Sequence, residues 1–108
     1  MSTDETSAVV ERHMTALQAS NIDLVMEDYT DESVVIINLA GVLKGKEAIR
    51  PIFEASAGMP GFVETAAFTE GDTHFVTWTA DGITMGSDTL IVRDGKIAVQ
   101  TVVIVLAT

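Results

Sequence analysis

The stretch GITMGSDTLIVRDGKI, residues 82–97, sets one carboxylate, Asp88, in the middle of a run that otherwise reads as a β-strand. Successive strand residues point to opposite faces, so Asp88 shares a face with Gly86, Leu90 and Val92, while Ser87, Thr89, Ile91 and Arg93 take the other. A carboxyl group among aliphatic neighbours has its charged form disfavoured, which turns an ordinary aspartate into a proton donor or acceptor closer to neutral pH. The same parity groups His74, Val76, Trp78 and Ala80 in the preceding strand and Ala98, Gln100, Val102 and Ile104 in the following one. An acid, an imidazole, an indole and an amide set among aliphatic side chains suit a small-molecule pocket better than a dry core. His13, on the apolar stripe of the opening helix, supplies a second imidazole.

Each of these residues also has a purely structural reading. A buried carboxylate needs a partner, so Asp88 and His13 could simply satisfy each other. His74 lies near a strand start and reads as a rim or surface residue; Trp78 reads as core or pocket wall. Gln100 could reach a ligand, Asp88 or a neighbouring strand. The two histidines are far apart and no acids cluster with them, so no metal spacing is present and neither metal nor cofactor is expected. The acidic run MEDYTDES, residues 26–33, reads as a solvated helix end and turn.

The elements that must position these groups follow from periodicity. From Ser7 to Ser20 the apolar positions Val10, His13/Met14 and Leu17 form a core-facing helical stripe. Ser20 followed by Asp23 suggests a capped restart, with Ile22, Val25, Met26 and Tyr29 on one face of a second short helix. SVVIINL, residues 33–39, is nearly unalternated and predicts a strand covered on both faces, followed by a turn at Ala40-Gly41 and the short extended VLK. Residues 45–57 have helical spacing, with Pro51 expected to kink or shorten the helix. Four strands follow, over residues 62–69, 73–80, 83–93 and 96–106, divided by Gly71-Asp72, Asp81-Gly82 and Asp94-Gly95. The expected fold is α+β: three N-terminal helices packed in a strongly curved, mainly antiparallel sheet.

At 108 residues, 47% hydrophobic and 20% charged, the chain suits one domain spanning residues 1–108. Its net charge of −10 opposes nucleic acid and anionic membrane surfaces as partners. Cysteine is absent, which removes disulfides and thiolate chemistry. With no apolar run long enough to span a membrane and an acidic start, MSTDETS, a cytoplasmic protein is expected. The last strand, IAVQTVVIVLA, is apolar on both faces, so either a second copy covers its outer face in a two-fold dimer or curvature encloses it within one chain.

The helix-helix-YTDES opening, the segment GVLKGKEAIRPIF and the ending GSDTLIVRDGKI resemble the SnoaL-like and ketosteroid-isomerase-like branch of the nuclear transport factor 2-like superfamily over nearly the whole chain. That resemblance implies a cone of curved sheet around helices, open at one end and usually dimeric, holding a small apolar molecule of steroid size or less. It places Asp88 where the isomerases keep a neutral aspartic acid in the oxyanion hole. His13 takes the position of their oxyanion tyrosine, and Tyr29 and Phe53 take two further positions of their tyrosine network. The isomerase general base falls on Ile37, with Asn38 beside it, and neither side chain can move a proton near neutral pH. The resemblance therefore points away from standard steroid isomerisation and toward a polyketide-cyclase-like acid/base pair of Asp88 with His13 or His74. A non-catalytic binding or association module is the alternative. An epoxide-hydrolase-like site would need two acids and an arginine around a water, and Arg12 and Arg50 have no evident second pocket acid.

Overall fold

A computed structural model describes residues 1–108. Helix α1 (Thr3–Gln18) starts earlier than the apolar stripe, because Ser2 and Glu5 close a reciprocal capping box that satisfies its first N–H groups. Helix α2 (Ile22–Met26) is capped by Asn21, which accepts from Leu24 N–H; Ser20, the expected cap, instead has a left-handed φ of 55° at the corner between the helices. Helix α3 (Lys46–Ser56) carries Pro51 and continues past it, burying Ile49 and Phe53.

The strands are β1 (Val34–Ile37), β2 (Gly41–Lys44), β3 (Val63–Glu70), β4 (Thr73–Ala80), β5 (Ile83–Arg93) and β6 (Lys96–Leu106). They form one six-stranded sheet in the order β2-β1-β6-β5-β4-β3. Only β1 and β6 run parallel. The β5–β6 turn has positive φ at both central residues, Asp94 at 52° and Gly95 at 76°, the primed geometry that an Asp-Gly hairpin adopts. Register shifts at Glu64/Ala66, Trp78/Ala80, Ile83/Met85 and Ile91/Val92 interrupt the ladders of β3 to β6. Such bulges bend strands, and here they curl the unclosed sheet around the helices as expected. The last of them sets Ala98 out of register, so Ile97 rather than Ala98 packs fully inside.

The core, including Val9, Val25, Val35, Ile49, Val92 and Ile97, fills the narrow end between helices and sheet. Strand β1 is not covered on both faces: Val35 and Ile37 are buried while Ile36 between them is 41% exposed. The outer face of β6 is likewise open at Val103 and Val105. No helix is long and apolar enough to cross a membrane.

Candidate functional site

Where the core stops filling the cone, a cavity of about 120 Å³ remains between α1, α3 and the inner face of β4, β5 and β6. At about 30 Å³ per liquid water it holds roughly four waters, or a compact organic molecule. Fourteen of its 21 wall residues are hydrophobic, so the few polar groups fix how a guest is oriented. Those polar groups come from the alternation read in the sequence: His74, Trp78, Asp88 and Gln100 all face inward, with His13 across from them on α1.

Asp88 is gripped from both sides. Trp78 Nε1 donates to its Oδ1 at 2.8 Å and Gln100 Nε2 to its Oδ2 at 2.9 Å. The indole reaches it because Gly86, paired with Trp78 across the strands, leaves room: a Cβ there would lie 2.1 Å from Trp78 Cε2. Burial raises the pKa of Asp88 above that of a free aspartate, and the two hydrogen bonds only partly oppose this.

The direct Asp88–His13 pairing is not formed; the two are joined through Gln100 and Tyr29. Tyr29 Oη donates to Gln100 Oε1 and lies 3.3 Å from His13 Nε2. Burial, and then the nearby Asp88 and Asp28 carboxylates, push the Tyr29 hydroxyl well above its ordinary pKa, so it remains a proton-bearing bridge. On the other side of the imidazole, His13 Nδ1 meets Asp28 Oδ2 at 3.1 Å, and Arg12 Nε and Nη2 donate to Asp28 Oδ1 at 3.0 and 2.6 Å. Burial alone would raise the Asp28 pKa, but the hydrogen bonds from His13 and Arg12 outweigh it and hold the carboxyl below its ordinary value. With both ring nitrogens engaged, His13 anchors the chain of contacts that ends on Asp88.

His74 has a different standing. Its Nδ1 lies 2.8 Å from Thr69 Oγ1, and its Nε2 has no protein partner. It pairs across the ladder with Leu90 while Val76 pairs with Asp88, which makes His74 and Asp88 diagonal neighbours on one face. Burial lowers the His74 pKa, with Glu64 and then Asp88 pulling weakly the other way, so the ring favours its neutral form. If Thr69 donates to Nδ1, the proton of that neutral ring sits on Nε2.

Most residues expected to form the site converge on it: Asp88, His13, His74, Trp78, Phe53 and Gln100 line the cavity, and Tyr29 stands directly behind it. Three expectations are corrected. His74 is not a surface residue but 7% exposed, because its strand start is covered by α1 and the edge of β3. Asn38 is exposed and does not line the cavity: its side chain bonds Ile104 N and O and extends the β1–β6 pairing. In the acidic run, Asp28 is not solvated but fully buried, its backbone carbonyl taking the Ile97 N–H at 2.7 Å. Asp28 and Arg12 escaped the sequence reading because they meet across 16 positions and two helices, beyond any local period. Asp28 pairs with Arg12, but both lie behind His13, outside the cavity, and no arginine or lysine lines it.

An α+β cone holding a walled cavity with an inward acid and two imidazoles defines the class. The SnoaL-like domain family matches residues 10–100, and the chain belongs to that family. Among solved structures, a nuclear transport factor 2-like protein of unknown function from Mesorhizobium loti superposes with a TM-score of 0.81 at 22% identity, covering 95% of this chain and 93% of that one. A Kribbella flavida protein whose suggested activity is ketosteroid isomerisation gives 0.78 at 16% identity, over 98% and 82%. An epoxide hydrolase of the LEH-like type from M. tuberculosis gives 0.74 at 19% identity, over 95% and 84%. At these identities the likeness establishes the shared fold. No curated protein matches the sequence.

Proposed function

We propose that the chain is a cofactor-independent acid/base enzyme of the isomerase or polyketide-cyclase type, acting on a compact apolar carbonyl compound. The observation that carries this reading is Asp88: an acid with a burial-raised pKa, held at both oxygens and facing an apolar cavity. Each carboxylate oxygen keeps a free lone pair after accepting from Trp78 or Gln100, so Asp88 can take a proton from the carbon next to the carbonyl. The electrons move into the carbonyl, and His74 Nε2–H hydrogen-bonds the resulting enolate oxygen. Asp88 then returns the proton to a different carbon, or the enolate attacks an electrophile within the same molecule. Tyr29 and Gln100 hold Asp88 in place, and His13, fixed by Asp28, holds Tyr29. Gln100 carries no ionisable proton, so the chain orients Asp88 rather than conducting protons to it.

The test is solvent exchange. Small cyclic ketones and enones in D₂O should gain deuterium beside the carbonyl in the presence of the protein, and Asp88→Asn, with its melting temperature preserved, should abolish the gain. The alternative is a binding or association module, which Ile37 at the general-base position favours. A ketone that raises the melting temperature yet acquires no deuterium would establish that alternative.

We also propose a homodimer through the outer sheet face. The register row Val42–Ile36–Thr101–Thr89–Phe75–Phe68 crosses all six strands without a charge, and Val42 and Phe68 are about 70% exposed. A two-fold axis lets one apolar patch cover its own copy. Light scattering should give twice the chain mass, and Phe75→Lys should give the monomer; a monomeric native chain would refute this.

A further inference from the structure

The cavity does not end at its own walls. An open groove between α1 and β3 shares Val10, Met14, Gln18, Phe62 and His74 with it, and a guest too long for the cavity extends into that groove. The charges along this route are all of one sign. Asp88 stands at the inner end and Glu11 and Glu64 line the groove. None of the six lysines and arginines lines either space. Three of the six have carboxylate partners elsewhere, Arg12 on Asp28, Lys44 on Glu32, and Arg50 on Asp23 and Glu54, and Lys96 is tied to the Glu27 carbonyl. Among the buried residues that face both spaces, His74 presents Nε2 without a protein partner, its residue being 7% exposed. A neutral imidazole there can hydrogen-bond a guest but brings no charge to neutralise an anion.

We propose that the ligand seats one ring in the cavity, is uncharged or bears an amine at its outer end, and is neither an acid nor a phosphate ester. This rests on the reading of Asp88 and His74 as the polar end of the site and adds the substrate class. The argument from size is that about 120 Å³ accommodates one ring with its substituents. The argument from charge is that an anionic group would enter a path carrying three carboxylates and no cation, in a molecule of net charge −10. An ammonium in the groove instead meets Glu11 and Glu64 while the ring stays in the apolar cavity.

A matched set of ligands tests this by calorimetry on the native protein: acetophenone and its 4-aminomethyl and 4-carboxyl derivatives. The expected order is 4-aminomethyl tightest, acetophenone next, and the 4-carboxyl derivative weaker than the amine by about tenfold or more at low salt. The gap between amine and acid should narrow as salt rises, since the screening length falls from about 10 Å at 0.1 M to about 3 Å at 1 M. It should narrow also in Glu11→Gln/Glu64→Gln. Equal or tighter binding of the acid, or a gap indifferent to salt and to the double substitution, would each overturn the inference. Only binding is read, so this outcome is separate from catalysis. Deuterium exchange into acetophenone without the charge ranking leaves the acid/base reading standing and removes this one; the ranking without exchange does the reverse.

Discussion

Replacing Asp28 by asparagine keeps the shape of the side chain and removes the charge on which the His13 anchor depends. The carboxylate is 1% exposed and accepts from His13 Nδ1 and from Arg12 Nε and Nη2. In the amide one oxygen becomes an NH₂ group, so one existing N–H donor must face another donor. A hydrogen bond to a charged group contributes roughly 1.5–3 kcal/mol, and that loss stands where the group left behind is buried away from water. The guanidinium of Arg12 is half exposed and recovers water when released, so its share is discounted to roughly 0–1 kcal/mol. The His13 contact has no such relief, and the total comes to about 1.5–4 kcal/mol. For a domain of this size that is a fall in melting temperature of about 6–30 °C at pH 7, measured by circular dichroism. The sign with pH follows from the lowered folded pKa of Asp28: its contribution is fully present above the unfolded value near 3.9 and is lost as pH falls through the lower folded value. The deficit of Asp28→Asn should therefore shrink below about pH 4. A change under about 4 °C at pH 7, or a deficit undiminished at the lowest pH where both forms fold, refutes the account of Asp28 as a buried ionised anchor.

Further consequences can be measured separately. Gly86→Ala should displace the indole of Trp78 and break its bond to Asp88, at a cost of roughly 1–3 kcal/mol; Trp78 is the only tryptophan, so an unchanged fluorescence spectrum would refute the close contact. The Asp88 carboxyl, followed by ¹³C NMR, should titrate above the ordinary aspartate value because burial dominates its environment. With the folded pKa raised, its contribution to stability is complete below the unfolded value and is lost as pH rises through the folded one; a midpoint at or below about 3.9 contradicts this. Tyr29→Phe should leave Gln100 Oε1 without its donor, cost roughly 1–3 kcal/mol, and shift the Asp88 midpoint; a midpoint identical to that of the native protein would disconnect Tyr29 from Asp88.

The inward arrangement of Asp88, His74, Trp78 and Gln100 was legible because a strand alternates strictly and the Asp-Gly turns fix where each strand begins. The α+β order of three helices, a short hairpin and a four-strand meander was legible for the same reason, together with the helical stripes, whereas the SnoaL-like cone was implied only by the resemblance of segments such as GSDTLIVRDGKI. The parallel pairing of β1 with β6 left no local mark, since register between distant strands is a matter of which apolar faces meet once the chain folds. Asn38 looked like a pocket residue by position, yet the end of β1 turns it to the sheet edge, where unpaired backbone groups of Ile104 capture it.

By itself the sequence determined the period of each element, and through it which side chains could share a face. Only the tertiary structure decided what those side chains do. It put Asp28 beside His13 and Arg12, tied both ring nitrogens of His13, and left Nε2 of His74 free. The physical reason is that periodicity is a local property of the backbone, whereas the protonation and partners of a buried group depend on desolvation and on contacts between residues far apart in the chain.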